Sequence, residues 1–301
     1  MSYAFKKLGA IHEENPNLHP LGAVQPPVAK PATLLPDRFF ALAALMQYQS
    51  PKCGGYSLAQ FLNYLEVLSG SQNTVLSGNF DYEFEKTVDG VPDQDGTTIS
   101  AIGKAGAEVG ACLATLFPED TAATTDTTPY SAASEQAKID ALARIGGTPF
   151  LLDDLSIEGI HQAVYQNSAV ILEVQVGDEW WTAVNGETSW AAADVLPLRT
   201  PKTVIDAHYI LVGAYDEATD RTWFVNSWSN EWGQNGFGYF GSNYAPFIKG
   251  GIAFKKVPAS VQEALYTKNY SLAQQILMDI SEALGLIKQE IGQGVAKVGT
   301  L

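Results

Sequence analysis

Trp223-Phe224-Val225-Asn226-Ser227-Trp228-Ser229-Asn230-Glu231-Trp232-Gly233-Gln234-Asn235-Gly236-Phe237 decides the reading of this 301-residue chain. Its first half is dense in aromatic and β-branched residues, which predicts a strand over 221–228. The Asn and Gly residues behind it mark turns. Upstream, Ala207-His208-Tyr209-Ile210-Leu211-Val212-Gly213 opens a second apolar strand, which would hold an imidazole rigidly at a strand end. Taken alone, His208 reads equally as a satisfied, half-buried histidine.

Working outward, residues 169–176 (AVILEVQV), 208–215 (HYILVGAY) and 250–257 (GGIAFKKV) carry the same strand signal. The first half of the chain is helical instead. Leu58, Phe61, Leu62, Leu65 and Leu68 recur at helical spacing and Gly70 ends the run, so 53–69 reads as a buried helix. A second helix follows Asp95-Gly96-Thr97-Thr98 through Ile99, Ile102 and Val109 towards Gly110. Shorter helices are expected at 134–144 and 156–167, after a low-complexity loop at 121–134. Helices first and strands second make an α+β chain, an arrangement that places a site between the two lobes.

Both ends differ from the middle. Residues 1–37 hold Pro16, Pro20, Pro26, Pro27, Pro31 and Pro36 without a sustained period and read as an extended strap. In the tail, Leu272, Ile276, Ile280, Leu284, Ile287 and Ile291 lie on one face of an amphipathic helix. That helix is either a docking or oligomerisation element, spanning 271–291, or a helix packed back on the lobes.

Among the reactive side chains, Cys53 falls where the first long helix begins. The helix macrodipole there favours a thiolate, although a lone cysteine more often fills a core. Cys112, in Val109-Gly110-Ala111-Cys112-Leu113, reads as a buried core thiol. His12 and His19 lie in the strap and His161 lies among polar helical neighbours, so all three read as surface residues.

Taken together, Cys53, His208 and the Asn-Ser-Trp strand end resemble the papain-like cysteine peptidases. Asn226-Ser227-Trp228, Trp232-Gly233, Gly236 and Phe237 match that family's signature in register, and the order Cys, His, Asn agrees. His208 and Asn226 lie 155 and 173 residues beyond Cys53. Those intervals exceed the usual ~130–150, which loop insertions would explain. The resemblance implies Gln47, six residues before Cys53, as an oxyanion donor, with Gln49 as a fallback. Asp95-Gly96-Thr97-Thr98, Val109-Gly110 and Leu116-Phe117-Pro118 are similar to a segment of bacterial and phage members. It further implies a two-lobed α+β fold, with a helical first lobe and a β-barrel-like second lobe flanking the active site. A Cys53-His208-Asn226 triad would hydrolyse peptide bonds, Trp228 would shield the His–Asn bond, and Gly54 and Gly55 would border the bound substrate. Three positions depart from the pattern: Ser50 for a disulfide cysteine, Gly54 for the aromatic residue after the nucleophile, and Ser229 for a common glycine.

Composition narrows the partners. With 33 acidic and 18 basic residues the net charge is −15, which disfavours nucleic acid and is expected to suit basic peptides. Two cysteines make no disulfide scaffold, and no apolar run reaches the length of a membrane span. Neither a metal nor another cofactor is implied. Cytoplasmic or virion-associated location is expected, because no secretory signal is visible at the N-terminus. The expected domains are a strap at 1–37, a peptidase domain at 38–255 and a helical tail at 256–301. The strap is too short for a folded pro-domain and is expected to wrap the surface or cross the cleft. Two other readings use the same residues: a papain-like fold kept as a structural or binding module, such as a virion component, and a thiol amidase acting on peptidoglycan or isopeptide bonds.

Overall fold

The computed structural model describes residues 9–14, 16, 28–48, 50–71, 74–118, 128–177, 180 and 198–255. The chain divides into two units at Lys256/Val257, and the description concerns the first. The expected tail helix at 271–291, His19, Gln49 and residues 121–127 of the low-complexity loop lie outside the described residues.

In chain order the elements are β1 (Ala10–Ile11), β2 (Thr33–Leu34), α1 (Asp37–Phe40), α2 (Cys53–Ser69), α3 (Gly78–Val88), β3 (Thr97–Thr98), α4 (Ile99–Glu108), α5 (Glu135–Leu142), β4 (Thr148–Leu151), α6 (Ile157–Asn167), β5 (Val170–Val176), β6 (Asp206–Asp216), β7 (Arg221–Val225), β8 (Phe237–Phe240) and β9 (Ile248–Lys255). The fold is α+β, with helices leading and an antiparallel sheet of order β4-β9-β5-β6-β7-β8 following, as the pattern of the sequence predicts. Strand β2 joins the sheet on β6.

Helix α2 is the axis of the first lobe, and every residue from Cys53 to Tyr64 is buried. It stops at Gly70, whose φ of 96° is the left-handed conformation that glycine adopts without steric penalty. Hydrophobic spacing does not announce α3, because its buried face includes Asn79, Asp81, Glu83 and Glu85. Contact with α2 is nonetheless close: a Cβ on Gly55 would lie 2.3 Å from the Gly78 carbonyl oxygen. Strand β4 was also hidden, being short and holding Pro149; a sheet edge tolerates that residue.

Two packed clusters flank the sheet. One joins Phe39, Phe61, Leu62 and Tyr209 to Phe254, with the Phe61 and Phe254 rings stacked at 4.9 Å. The other gathers Trp180, Trp228, Trp232, Phe224 and Tyr244. Cys53 belongs to the first and Trp228 to the second, so the two cores meet at the strand ends that carry the candidate site.

Two expectations are corrected. The strand expected over 221–228 ends at Val225, because the Asn226 N–H turns away to the Gly236 carbonyl and Trp228 bridges to Met46. His161 is a buried residue, not a surface one. Its ring stacks on Tyr215 at 4.3 Å, and its Nε2 lies 2.8 Å from Thr222 Oγ1. The strap contributes to this burial: Lys30 Nζ reaches Glu158 at 3.1 Å, contacts Glu217, and stands 5.3 Å from the Tyr215 ring centre. Among the described residues, no helix is long and apolar enough to cross a membrane.

Candidate active site

Helices α3, α4, α5 and α6 begin with Ser77, Thr98, Ser134 and Ser156, whose hydroxyls accept first-turn N–H groups. Helix α2 begins with Lys52, which provides no side-chain cap. First-turn N–H groups left uncapped are available to an anion, and Cys53 is the first residue of that turn. Lys52 itself is buried and directed elsewhere, to Glu83 at 3.2 Å and to Asn79.

The Cys53 sulfur accepts the main-chain N–H of Tyr209 at 3.4 Å, which joins the first helix to β6 beside His208. His208, fully buried, has its Nε2 2.8 Å from Asn226 Oδ1. The same oxygen accepts the Ser227 N–H at 2.8 Å. An atom that accepts from a main-chain amide is the carbonyl oxygen of the Asn side chain, so the histidine nitrogen facing it carries the proton. In the neutral ring, Nδ1 is then the basic atom.

Asn226 is held on both sides, by its own N–H to the Gly236 carbonyl at 2.9 Å and by Gln60 Nε2 donating to its carbonyl at 3.2 Å. Trp228 tilts over the imidazole with ring centres 4.9 Å apart, and Trp180 meets the same ring edge-on at 5.9 Å. Three tryptophans, Trp180, Trp228 and Trp232, surround one another and keep this corner apolar.

Gln47 is buried and bound to the strand end that carries Asn226. Its N–H donates to the Ser227 carbonyl at 2.9 Å, and its Oε1 accepts from Ser227 Oγ. That leaves Nε2 as the donating end, and one of its hydrogens goes to the Ser50 carbonyl at 2.8 Å. His208, Asn226, Gln47 and Trp228 are thus drawn into one network, and Cys53 is tied to the strand of His208 through the Tyr209 N–H. Gly54 and Gly55 are buried against α3 and the start of α4. A Cβ on Gly54 would lie 2.3 Å from Thr97 Cγ2 and 2.9 Å from Glu85 Oε2, so its small size serves close packing.

Burial pushes the Cys53 thiol well above its ordinary range. The Tyr209 N–H opposes that rise, while the Glu85 and Asp206 carboxyls add to it and the Gly54 N–H opposes it. Glu85 is itself pushed up by burial towards its neutral form. Cys112 is buried, and neither cysteine forms a disulfide. Its thiol is pushed up to about 12 by burial.

Residues 9–13 of the strap enter this region. The Gly9 carbonyl accepts the Thr97 N–H at 2.9 Å, and β1 pairs parallel with β3. A Cβ on Gly9 would lie 2.0 Å from the carbonyl oxygen of Pro51, two residues before the thiol. His12 Nδ1 lies 3.0 Å from Glu173 Oε1. Sequence reasoning missed Glu173, Tyr209 and Trp180; Ser227 was visible only as part of the Asn-Ser-Trp motif. Glu158, His161 and Glu217 also converge, with ligand atoms within 4.8 Å, and the Lys30 ammonium contacts both carboxylates.

With this geometry in view, the comparisons define the class of fold. Xylellain, a cysteine protease from Xylella fastidiosa, superposes with a TM-score of 0.61 at 20% identity, covering 76% of this chain and 87% of that one. Procathepsin B S9 from Trypanosoma congolense gives 0.61 at 14% identity over 84% and 87%. A Carica candamarcensis cysteine protease gives 0.53 at 16% over 76% and 100%. No protein-family model matches the chain, and no curated protein matches it by sequence. The chain therefore has a papain-like fold, similar over most of its length to cysteine proteases of bacterial, protozoan and plant origin.

Proposed function

We propose that the chain is a cysteine peptidase with Cys53 as nucleophile and peptide or protein as substrate. The observation that carries this is the His208 Nε2 to Asn226 Oδ1 bond, oriented by the Ser227 N–H, on the strand whose next residue bonds the Cys53 sulfur.

A neutral thiol is a weak nucleophile, and transfer of its proton to His208 Nδ1 generates the thiolate. The thiolate attacks the peptide carbonyl, and the imidazolium protonates the leaving amine. The same ring then deprotonates the water that releases the acyl group. Asn226 holds the ring through both transfers. Gln47 Nε2 and the Cys53 N–H stabilise the tetrahedral oxyanion, each such donor contributing about 2.7–4 kcal/mol.

The test is labelling of wild type and Cys53→Ala with a thiol-directed epoxide that needs an activated Cys–His pair, read by intact mass, beside hydrolysis of a peptide library. One adduct on wild type and none on Cys53→Ala supports the reading. Equal labelling, or labelling of neither with no hydrolysis, overturns it.

A further inference from the structure

We infer that Glu173 is the base of a subsite for a cationic side chain, and that His12 of the chain's own strap holds the place such a side chain takes in a bound peptide. This inference rests on the peptidase reading of Cys53.

The path of the strap is that of a bound extended peptide. Two of its main-chain carbonyls accept hydrogen bonds, Gly9 from the Thr97 N–H at 2.9 Å and Ile11 from the Tyr209 side-chain hydroxyl at 3.5 Å. The Ser100 N–H adds a bond to Glu13 Oε2 at 2.9 Å. It starts against Pro51 beside the nucleophile helix and ends over β5, so it bridges the two lobes. Backbone pairing gives affinity in this binding mode, and pockets for side chains give selectivity.

The pair His12–Glu173 is unequal. The Glu173 side chain is 2% exposed and that of His12 is 50% exposed. Glu173 is built into the sheet, opposite Tyr209 on β6 and Gly250 on β9. The second carboxylate oxygen faces Gly250, where a Cβ would lie 3.2 Å from it and 3.2 Å from Ile99 Cδ1. The missing Cβ of Gly250 thus lets the carboxylate lie close against β9, with Ile99 on the same side. A carboxylate this deep is costly to leave without a cation, and the strap supplies only a half-exposed imidazole. A peptide that displaces residues 9–13 must meet Glu173 in its turn. Burial pushes the Glu173 carboxyl above its ordinary range and His12 opposes that rise, while Glu13 adds to it and Lys249 partly offsets it, so a closely held cation is what keeps the group ionised. Lysine or arginine, carrying a permanent charge on a long stem, satisfies that carboxylate better than histidine at neutral pH.

The experiment profiles the full chain on a positional-scanning peptide library, with Glu173→Gln and His12→Ala in parallel and thermal melting to verify folding. The expected wild-type result is one position preferring Arg or Lys over Leu by about tenfold, equivalent to ~1.4 kcal/mol. In Glu173→Gln the Arg-to-Leu ratio falls towards one. In His12→Ala, which leaves the carboxylate in place, the ratio is kept or rises. Should Glu173→Gln not fold, the wild-type and His12→Ala profiles decide. Hydrolysis and Cys53-dependent epoxide labelling without basic preference at any position overturn the inference and leave the peptidase reading standing. Absence of both labelling and hydrolysis removes that reading, and the inference with it.

Discussion

His208 and Asn226 share a 2.8 Å hydrogen bond whose direction is set by a third group, the Ser227 N–H on the same Asn oxygen. The main chain thereby dictates which imidazole nitrogen carries the proton in the neutral ring. Asn226→Ala removes the acceptor. Hydrogen bonds to a charged partner contribute about 1.5–3 kcal/mol, so kcat/KM is expected to fall roughly tenfold to a hundredfold. Steady-state hydrolysis measures it; an unchanged rate would mean that the ring needs no such anchor.

Gln47 presents its amide nitrogen because its oxygen is occupied by Ser227. Gln47→Ala is expected to lower kcat by about 10²–10³, the usual effect of losing one oxyanion donor. Alkylation of Cys53 by iodoacetamide forms no oxyanion and should slow far less. Equal losses in the two assays would assign Gln47 to folding instead.

Gly9 has a φ of 89° and lies against Pro51, with no room for a Cβ. Gly9→Val should lift residues 9–13 from their place and raise the labelling rate of Cys53 severalfold. Stopped-time mass spectrometry reads this directly. If the rate does not move, the strap does not restrict access to the thiol.

Burial raises the pKa of Cys53, so at neutral pH its thiolate fraction lies below that of an ordinary thiol. Alkylation of the full chain should therefore be slow at pH 7 and still rise above about pH 9.5, where a free thiol of pKa ~8.5 approaches its plateau. Gly9→Val, by admitting water and exposing the Cys–His pair, should shift the profile to lower pH. Cys112→Ala in the background removes the second thiol from the readout. A wild-type plateau already reached at pH 6 would contradict the sign.

Gly55→Ala tests packing. Its Cβ would meet main-chain atoms, 2.3 Å from Gly78 O and 2.5 Å from Tyr82 N, and main chain cannot rotate away. Overpacking of this kind costs about 1–3 kcal/mol or more, expected as a clear fall in Tm on thermal melting. A Tm within error of wild type would mean that α2 and α3 have slack between them.

Much of the candidate site was legible because its residues lie in local patterns. The α2 helix announces itself by leucine spacing and a closing glycine, and Asn226-Ser227-Trp228 sits in a run dense in aromatic, Asn and Gly residues. Helix α3 escaped, since periodicity is counted in apolar residues and its buried face uses Asp81, Glu83 and Glu85. His161 was misplaced for a related reason: its neighbours on the helix are polar, but its burial comes from Tyr215, Thr222 and the strap.

Sequence by itself determined the α+β class, because helix and strand periodicities are written in consecutive residues, and its resemblance to a known family singled out Cys53, His208, Asn226 and Gln47 as candidates. Tertiary structure alone decided which histidine nitrogen is protonated, that Gly9 lies against Pro51, and that His12 meets Glu173. Each of these is a contact between residues far apart in the chain. Its geometry depends on how the lobes pack, and no local pattern records that.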